Sequence, residues 1–298
     1  MKTEDNVVTP IPNPQSPILF IVGPTASGKS NLAMQLAETL GGEIVAADSQ
    51  TIRRSMDIGT AKPSHDEQRR VKHHMIDIID PYEEYNVARF QDEARAAIGD
   101  IQTRGLLPIV VGGTGLYIDS LFYGYSLSDQ NLEVRAELNA KSVEELQKII
   151  RQNGYGMPEN DRNPRHLIGV ISRAGSSPAD KIPVEGALMV GIDVDEDTLK
   201  ARISSRIDKM IGSGLIDEVR SLVSRYGKPS SKIDAIAYPI FIDYLDSKVS
   251  LDKAKELFSQ SDWQYARRQK SWLRRNKHIN WLQSDDRLTE TLELIKNS

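Results

Sequence analysis

The run Gly23-Pro24-Thr25-Ala26-Ser27-Gly28-Lys29-Ser30 fits the spacing G-x-x-x-x-G-K-[ST], and its flanks restrict this chain to few folds. The apolar stretch Ile18-Leu19-Phe20-Ile21-Val22 precedes it and reads as a buried strand. Residues 31–40 follow, with Leu32, Leu36, Ala37 and Leu40 at helical spacing. A strand, a tight loop and a helix start make an anion cradle. Backbone N–H groups converge, the helix N-terminus adds positive potential, and Lys29 adds a full charge. Ser30 offers a hydroxyl to Mg²⁺. Residues 23–30 are therefore expected to bind a di- or triphosphate. A chance match on an ordinary turn is the competing explanation, and it does not require those flanks.

Apolar runs at 43–47, 107–111, 187–194 and 278–282 alternate with helical patterns at 87–103, 116–123, 196–211, 214–226 and 250–276. This rhythm implies an α/β fold: a P-loop NTPase-like parallel sheet with helices on both faces. The stretch 127–183 breaks it, with helical pieces at 132–138 and 142–151 followed by Gly, Pro, Ser and Asn. It reads as an inserted, mostly helical subdomain between two parts of one core, 17–126 and 184–298. Residues 1–16, with Pro10, Pro12 and Pro14 among polar residues, read as a flexible tail. The chain has no cysteine, which excludes disulfides, thiolate metal sites and a cysteine nucleophile. No apolar run reaches membrane-spanning length and no signal-peptide core is present. A cytoplasmic monomer with no membrane partner is the expectation. The net charge is −4, so any contact with nucleic acid must come from a local basic patch.

Ligands of parallel α/β sheets lie beyond the C-terminal ends of the strands, and three further stretches fall there. Asp48 follows the second strand in Asp48-Ser49-Gln50, where a carboxylate can bind Mg²⁺ through water, act as a general base, or simply cap a turn. Gly112-Gly113-Thr114-Gly115 follows the third strand. Its glycines allow close approach of the backbone to a ligand, and Thr114 either offers its hydroxyl to the site or caps the next helix. Met56-Asp57-Ile58-Gly59-Thr60-Ala61-Lys62-Pro63 is a polar loop whose Lys62 either reaches a phosphate or is solvated. His73 and His74 with Asp77 suggest a metal site only superficially. Adjacent histidines on an extended segment point to opposite faces, so packing is the expected role.

Between 262 and 278 six Lys/Arg stand against one Asp, interleaved with Trp263, Tyr265 and Trp272. Arg268, Trp272 and Arg275 share a helix face. Such a patch suits an RNA backbone and splayed bases. It is also what a solvated basic helix with Trp272 in the core would show.

Together these stretches resemble the tRNA dimethylallyltransferases, also called tRNA isopentenyltransferases. The resemblance runs densely over 17–124, through the P-loop, Asp48-Ser49-Gln50, the 56–63 loop, His73-His74-Met75-Ile76-Asp77 and Val111-Gly112-Gly113-Thr114-Gly115-Leu116-Tyr117. Beyond that it is patchier: Glu133-Val134-Arg135, Arg202 to Gly214-Leu215 with Glu218-Val219, and Arg267-Arg268-Gln269-Lys270-Ser271-Trp272-Leu273-Arg274.

The resemblance implies transfer of a dimethylallyl group from dimethylallyl diphosphate to N6 of the adenine 3′-adjacent to the anticodon in tRNA, with Mg²⁺ as cofactor. It implies that Asp48 accepts the proton of the attacking amine, with Thr25, Thr114 and Lys29 as further catalytic residues. The 23–30 loop would hold the diphosphate. Ser49, Gln50, Thr51, Arg135, Arg165, Arg267, Arg268, Gln269, Lys270, Trp272 and Arg274 join Asp48 and Thr114 as tRNA contacts, the inserted subdomain binds tRNA, and the anticodon stem-loop is the partner. Ile52, Gly169 and Asp234 depart from the family's usual residues, which bears on tRNA affinity or substrate identity more than on the chemistry. A P-loop small-molecule kinase, an RNA binder without activity and an enzyme prenylating free adenine nucleotide are the alternatives.

Overall fold

The computed structural model describes residues 17–124, 137–172, 182–228 and 235–297. The expected tail, Arg135 and Asp234 lie outside these residues. The chain divides into two compact units, one of Met1–Gly124 with Pro183–Ser298 and one of Tyr125–Ile182. Among the described residues no helix is long and apolar enough to cross a membrane.

The larger unit is built on six parallel strands: β1 (Ile18–Val22), β2 (Gly42–Ala47), β3 (His73–His74), β4 (Leu107–Gly112), β5 (Ala187–Ile192) and β6 (Asn280–Leu282), in the order β3-β2-β4-β1-β5-β6. β1 is buried at every position, as a central parallel strand covered on both faces must be. Its side chains alternate between two cores. Leu19 and Ile21 pack on one side of the sheet, Ile18, Phe20 and Val22 on the other. The first core is shared with α1 (Lys29–Leu40), α7 (Glu196–Gly212), α8 (Leu215–Tyr226), α9 (Ala237–Leu245) and α10 (Leu251–Leu273), the second with α3 (Val87–Thr103) and α4 (Gly115–Phe122). Two further helices are α2 (His65–Arg70) and α11 (Arg287–Lys296).

Register decides where the chemistry falls. Val22 is level with Gly112, and Gly112 with Ala47. Gly23, Asp48 and Gly113 therefore leave the sheet side by side.

The unit Tyr125–Ile182 has its own small core of Leu138, Leu146, Ile150, Leu167 and Ile168, carried largely by α5 (Val143–Gln152) and α6 (Pro164–Ser172). A reciprocal capping box starts α5. Ser142 Oγ accepts from the Glu145 N–H, and the Glu145 carboxylate accepts from the Ser142 N–H at 2.7 Å.

Some boundaries differ from expectation. β5 stops at Ile192 rather than 194, because Asp193 turns its carboxylate toward Lys270 and Arg274. β6 occupies only Asn280–Leu282, and α10 ends at Leu273. Strand β3 and helices α2, α9 and α11 were not expected.

Candidate active site at the strand ends

The loop 23–30 wraps around a cavity of about 460 Å³ at the C-terminal edge of the sheet, lined by Thr25, Lys29 and Ser30 and also by Asp48, Gln50 and Thr51. The phosphate cradle and the carboxylate thus share one cavity. Gly28 takes φ 96° and Ala26 φ 62°, a left-handed conformation that costs a non-glycine residue about 1–2 kcal/mol. Of the loop amides, the Ser27 N–H turns back to the Pro24 carbonyl at 3.2 Å. Lys29 Nζ bridges back to the Pro24 carbonyl at 3.3 Å. Burial lowers its pKa to about 8, a shift the charge of Asp48 partly opposes. Arg202 and Arg287 both point at the Ser27 carbonyl, at 3.4 and 3.5 Å, so two guanidinium groups flank the loop from α7 and α11.

Asp48 Oδ1 accepts from the Gln50 N–H at 2.8 Å, closing a turn on itself. Thr114 stands at the N-terminus of α4, but its hydroxyl makes no cap and instead accepts from the Ser49 N–H at 3.3 Å. It ties the Asp48 turn to the 112–115 loop. Ile52 is buried, and its carbonyl accepts from the Ile78 and Ile79 N–H groups, so the departure there is a core substitution.

Helix α10 contributes a stripe that the sequence pattern does not reveal. Phe258, Asp262 and Tyr265 line the cavity, and Gln269 continues their stripe at steps of four, three and four. Gln269 Oε1 accepts from the Thr25 N–H at 2.8 Å, so the helix grips the P-loop. The Tyr265 phenol is pushed up to about 12 by burial and by Asp48. Asp262 is buried, with its carboxyl raised above the usual range by burial, against the pull of Arg206 and Lys29. Ser27 Oγ, Thr51 Oγ1, Arg206 Nε and Asp262 Oδ2 are buried without a protein hydrogen-bond partner. Leaving such groups unpaired costs about 1–3 kcal/mol each. Three of them, on Thr51, Arg206 and Asp262, belong to residues that line the cavity, which fits a polar ligand there.

The same helix sorts the expected tRNA contacts. Arg267, Arg268 and Arg274 are exposed, and Trp272 is 39% exposed rather than in the core. Trp272 packs against Gly115 so closely that a Cβ there would lie 2.2 Å from the indole. Two of the expected contacts sit differently from the rest. Gln269 is buried against the P-loop and presents nothing to a surface ligand. Lys270 is tied to Asp193 at 2.6 Å and to the Val194 carbonyl at 2.9 Å, which leaves its ammonium paired inside the fold. Arg274 shares Asp193 at 3.3 Å while staying exposed. Arg165 lies on α6.

Lys62 is neither solvated nor aimed at a phosphate. Its side chain is 2% exposed and bridges Asp57 and Asp77. His74 bonds Glu43 at 2.6 Å and His73 the Val71 carbonyl at 2.8 Å, and among the described residues no group of acidic or histidine side chains could hold a metal ion.

A family model described as IPP transferase matches residues 51–276. A tRNA dimethylallyltransferase of Pelotomaculum thermopropionicum is 38% identical over 92% of this chain and 93% of its own length. One from Bacillus subtilis is 35% identical over 90% and 91%. The crystal structure of the full-length tRNA isopentenylpyrophosphate transferase of Bacillus halodurans superposes with a TM-score of 0.72 at 34% identity, covering 95% of this chain and 96% of that one. A eukaryotic dimethylallyltransferase acting on tRNA shares the fold, with a TM-score of 0.79 at 23% identity over 95% of this chain and 79% of that one.

Proposed function

The chain belongs to the IPP transferase family, and from that premise we propose that it transfers a dimethylallyl group from dimethylallyl diphosphate to N6 of the adenine beside the tRNA anticodon, on its 3′ side. The observation that carries this reading is the shared cavity, in which a phosphate cradle and Asp48 face the same space. A hydrolase or kinase can use the cradle. A carboxylate fixed by the Thr114–Ser49 link and the Asp48–Gln50 turn, ready to take a proton from an incoming amine, suits alkyl transfer.

In the reaction the allylic C–O bond breaks, negative charge grows on the departing diphosphate, and the adenine nitrogen bonds to the freed carbon. The Lys29 ammonium and the positive N-terminus of the helix that follows the loop would stabilise that charge. Asp48 takes the proton that the nitrogen loses. The adenine must leave its stack to reach the cavity. The exposed Arg267, Arg268, Trp272 and Arg274 then suit the RNA backbone and a neighbouring base.

The site fits Mg²⁺ in a limited way. Ser30 is exposed and lines the cavity. Ser30 would offer the ion one hydroxyl, and diphosphate oxygens and water would supply its other ligands. Bound there, it would neutralise charge on the leaving group.

The test is transfer of label from dimethylallyl diphosphate, with Mg²⁺, to unmodified tRNA, with AMP and ATP as competing acceptors. Label in tRNA alone is expected. Label in the nucleotides would assign the chain to free-nucleotide prenylation, and label in neither would refute the proposal.

A further inference from the structure

Away from the P-loop, one construction has no part in the chemistry above. Three consecutive backbone N–H groups donate to the carboxylate of Glu218: Asp57 and Ile58 to Oε2 at 2.8 and 2.7 Å, and Gly59 to Oε1 at 2.9 Å. The Tyr238 hydroxyl donates to the same Oε1 at 2.7 Å. Successive N–H groups pointing into one concavity form an anion nest, and here a side chain from α8 fills it. Burial, then the charge of Glu218, raises the Tyr238 phenol far above its ordinary range, so it remains a donor.

The loop that carries the nest is clamped elsewhere too. A Cβ on Gly59 would come within 2.8 Å of the Tyr238 ring, so only glycine lets loop and ring meet. Lys62 Nζ holds the Arg53 carbonyl at 2.8 Å and the Asp57 and Asp77 carboxylates at 2.5 Å each. Ala61 is left-handed, at φ 53°. A strained non-glycine residue persists only where its surroundings over-determine it. The segment so determined is a wall of the cavity, formed by Gly59, Thr60, Ala61, Lys62 and Pro63. Ala61 and Pro63 are apolar, and the charge of Lys62 is already matched by two carboxylates. This wall suits a hydrocarbon, whereas the P-loop suits phosphate.

We infer that Glu218 is a positioning residue for the prenyl donor: its carboxylate, seated in the 57–59 nest, fixes the 59–63 wall against the prenyl chain. The inference rests on the reading of the cavity as a prenyl diphosphate site.

The test compares equilibrium binding of dimethylallyl diphosphate and of inorganic diphosphate to the full chain, for the native protein, Glu218→Gln and Tyr238→Phe. Inorganic diphosphate uses the P-loop alone and so reports general damage. In Glu218→Gln an amide N–H₂ replaces one acceptor oxygen. The prenyl diphosphate should then bind about tenfold more weakly, while inorganic diphosphate changes by less than about twofold. Hydrogen exchange at the Asp57, Ile58 and Gly59 amides should quicken by about tenfold or more. Tyr238→Phe, which removes one donor of four, should move both readouts in the same direction by less, and it carries the test if Glu218→Gln does not fold.

An unchanged preference for the prenyl ligand in the variants overturns the inference. So does equal weakening of both ligands, and so does a native protein that binds the two equally. A native protein that prefers the prenyl ligand but does not label tRNA refutes the proposed function and leaves the role of Glu218 standing.

Discussion

Asp48→Asn separates the base from the turn that holds it. Asp48 Oδ1 keeps the Gln50 N–H at 2.8 Å, and asparagine retains a carbonyl oxygen for that bond. The link from Thr114 to the Ser49 N–H does not involve the carboxylate and should survive. What is lost is the oxygen able to accept a proton. Positioned general bases contribute about 10²–10⁴-fold, equivalent to about 2.7–5.5 kcal/mol of barrier. There is one side effect. The charge of Asp48 helps Lys29 keep its proton, so its removal lowers the Lys29 pKa further and weakens donor binding near pH 8. The assay is therefore single turnover at pH 7 with saturating donor, alongside filter binding of tRNA. The rate should fall by about 10²-fold or more while tRNA affinity changes by less than about twofold. Asp48→Ala also loses the turn, and the gap between the two variants measures it. A rate for Asp48→Asn above a tenth of the native rate would refute the role of base. A parallel loss of tRNA affinity would reassign Asp48 to acceptor binding.

Lys29 gives a pH dependence of definite sign. Its folded pKa lies near 8, below the ordinary lysine value of 10.5, so between these values the unfolded chain holds the extra proton and stability should rise with pH across that window. Diphosphate binding needs the charged form, so affinity should fall above pH 8 and binding at pH 9 should take up a proton. Calorimetry in two buffers of different ionisation heat reads the uptake, and Lys29→Met should abolish it. The two faces of α10 should also behave differently. Arg268→Ala should reduce the salt slope of tRNA binding by about one unit. Lys270→Ala, which strips Asp193 of its 2.6 Å partner, should lower thermal stability and leave that slope unchanged.

The fold class was legible because the strongest local signals agree with the global one. β1 is apolar at every position, the glycine-lysine loop demands a helix behind it, and strand–helix alternation leaves a parallel sheet. The elements missed lack such a signal. β3 is two histidines that pair with Ile44 and Val45 of β2, so its existence is a property of the neighbouring strand. Helix α9 has Pro239 as its third residue, within the first turn, where the missing N–H costs nothing but the pattern reads as a break.

The candidate site divides along the same line. Residues that a ligand must meet through the backbone or through fixed charge, 23–30 and Asp48, are visible because their spacing is dictated by the ligand. Residues that meet each other across the fold are not. Gln269 bonds Thr25 from 244 positions away, and Glu218 fills a nest 161 positions away. In sequence, Gln269 sits inside a basic run, and nothing local separates it from its exposed neighbours. In the structure, the stripe Phe258, Asp262, Tyr265 and Gln269 mixes apolar, acidic and amide side chains, so no hydrophobic period reveals it. Lys62 shows the same limit. A lysine in a polar loop looks free until two carboxylates, one of them fifteen positions later, are found to enclose it. Local chemistry thus marks the proposed cradle for the donor's phosphates. The shape of the rest of the cavity is written in long-range pairs, and Glu218→Gln tests the pair that holds the 57–59 amides.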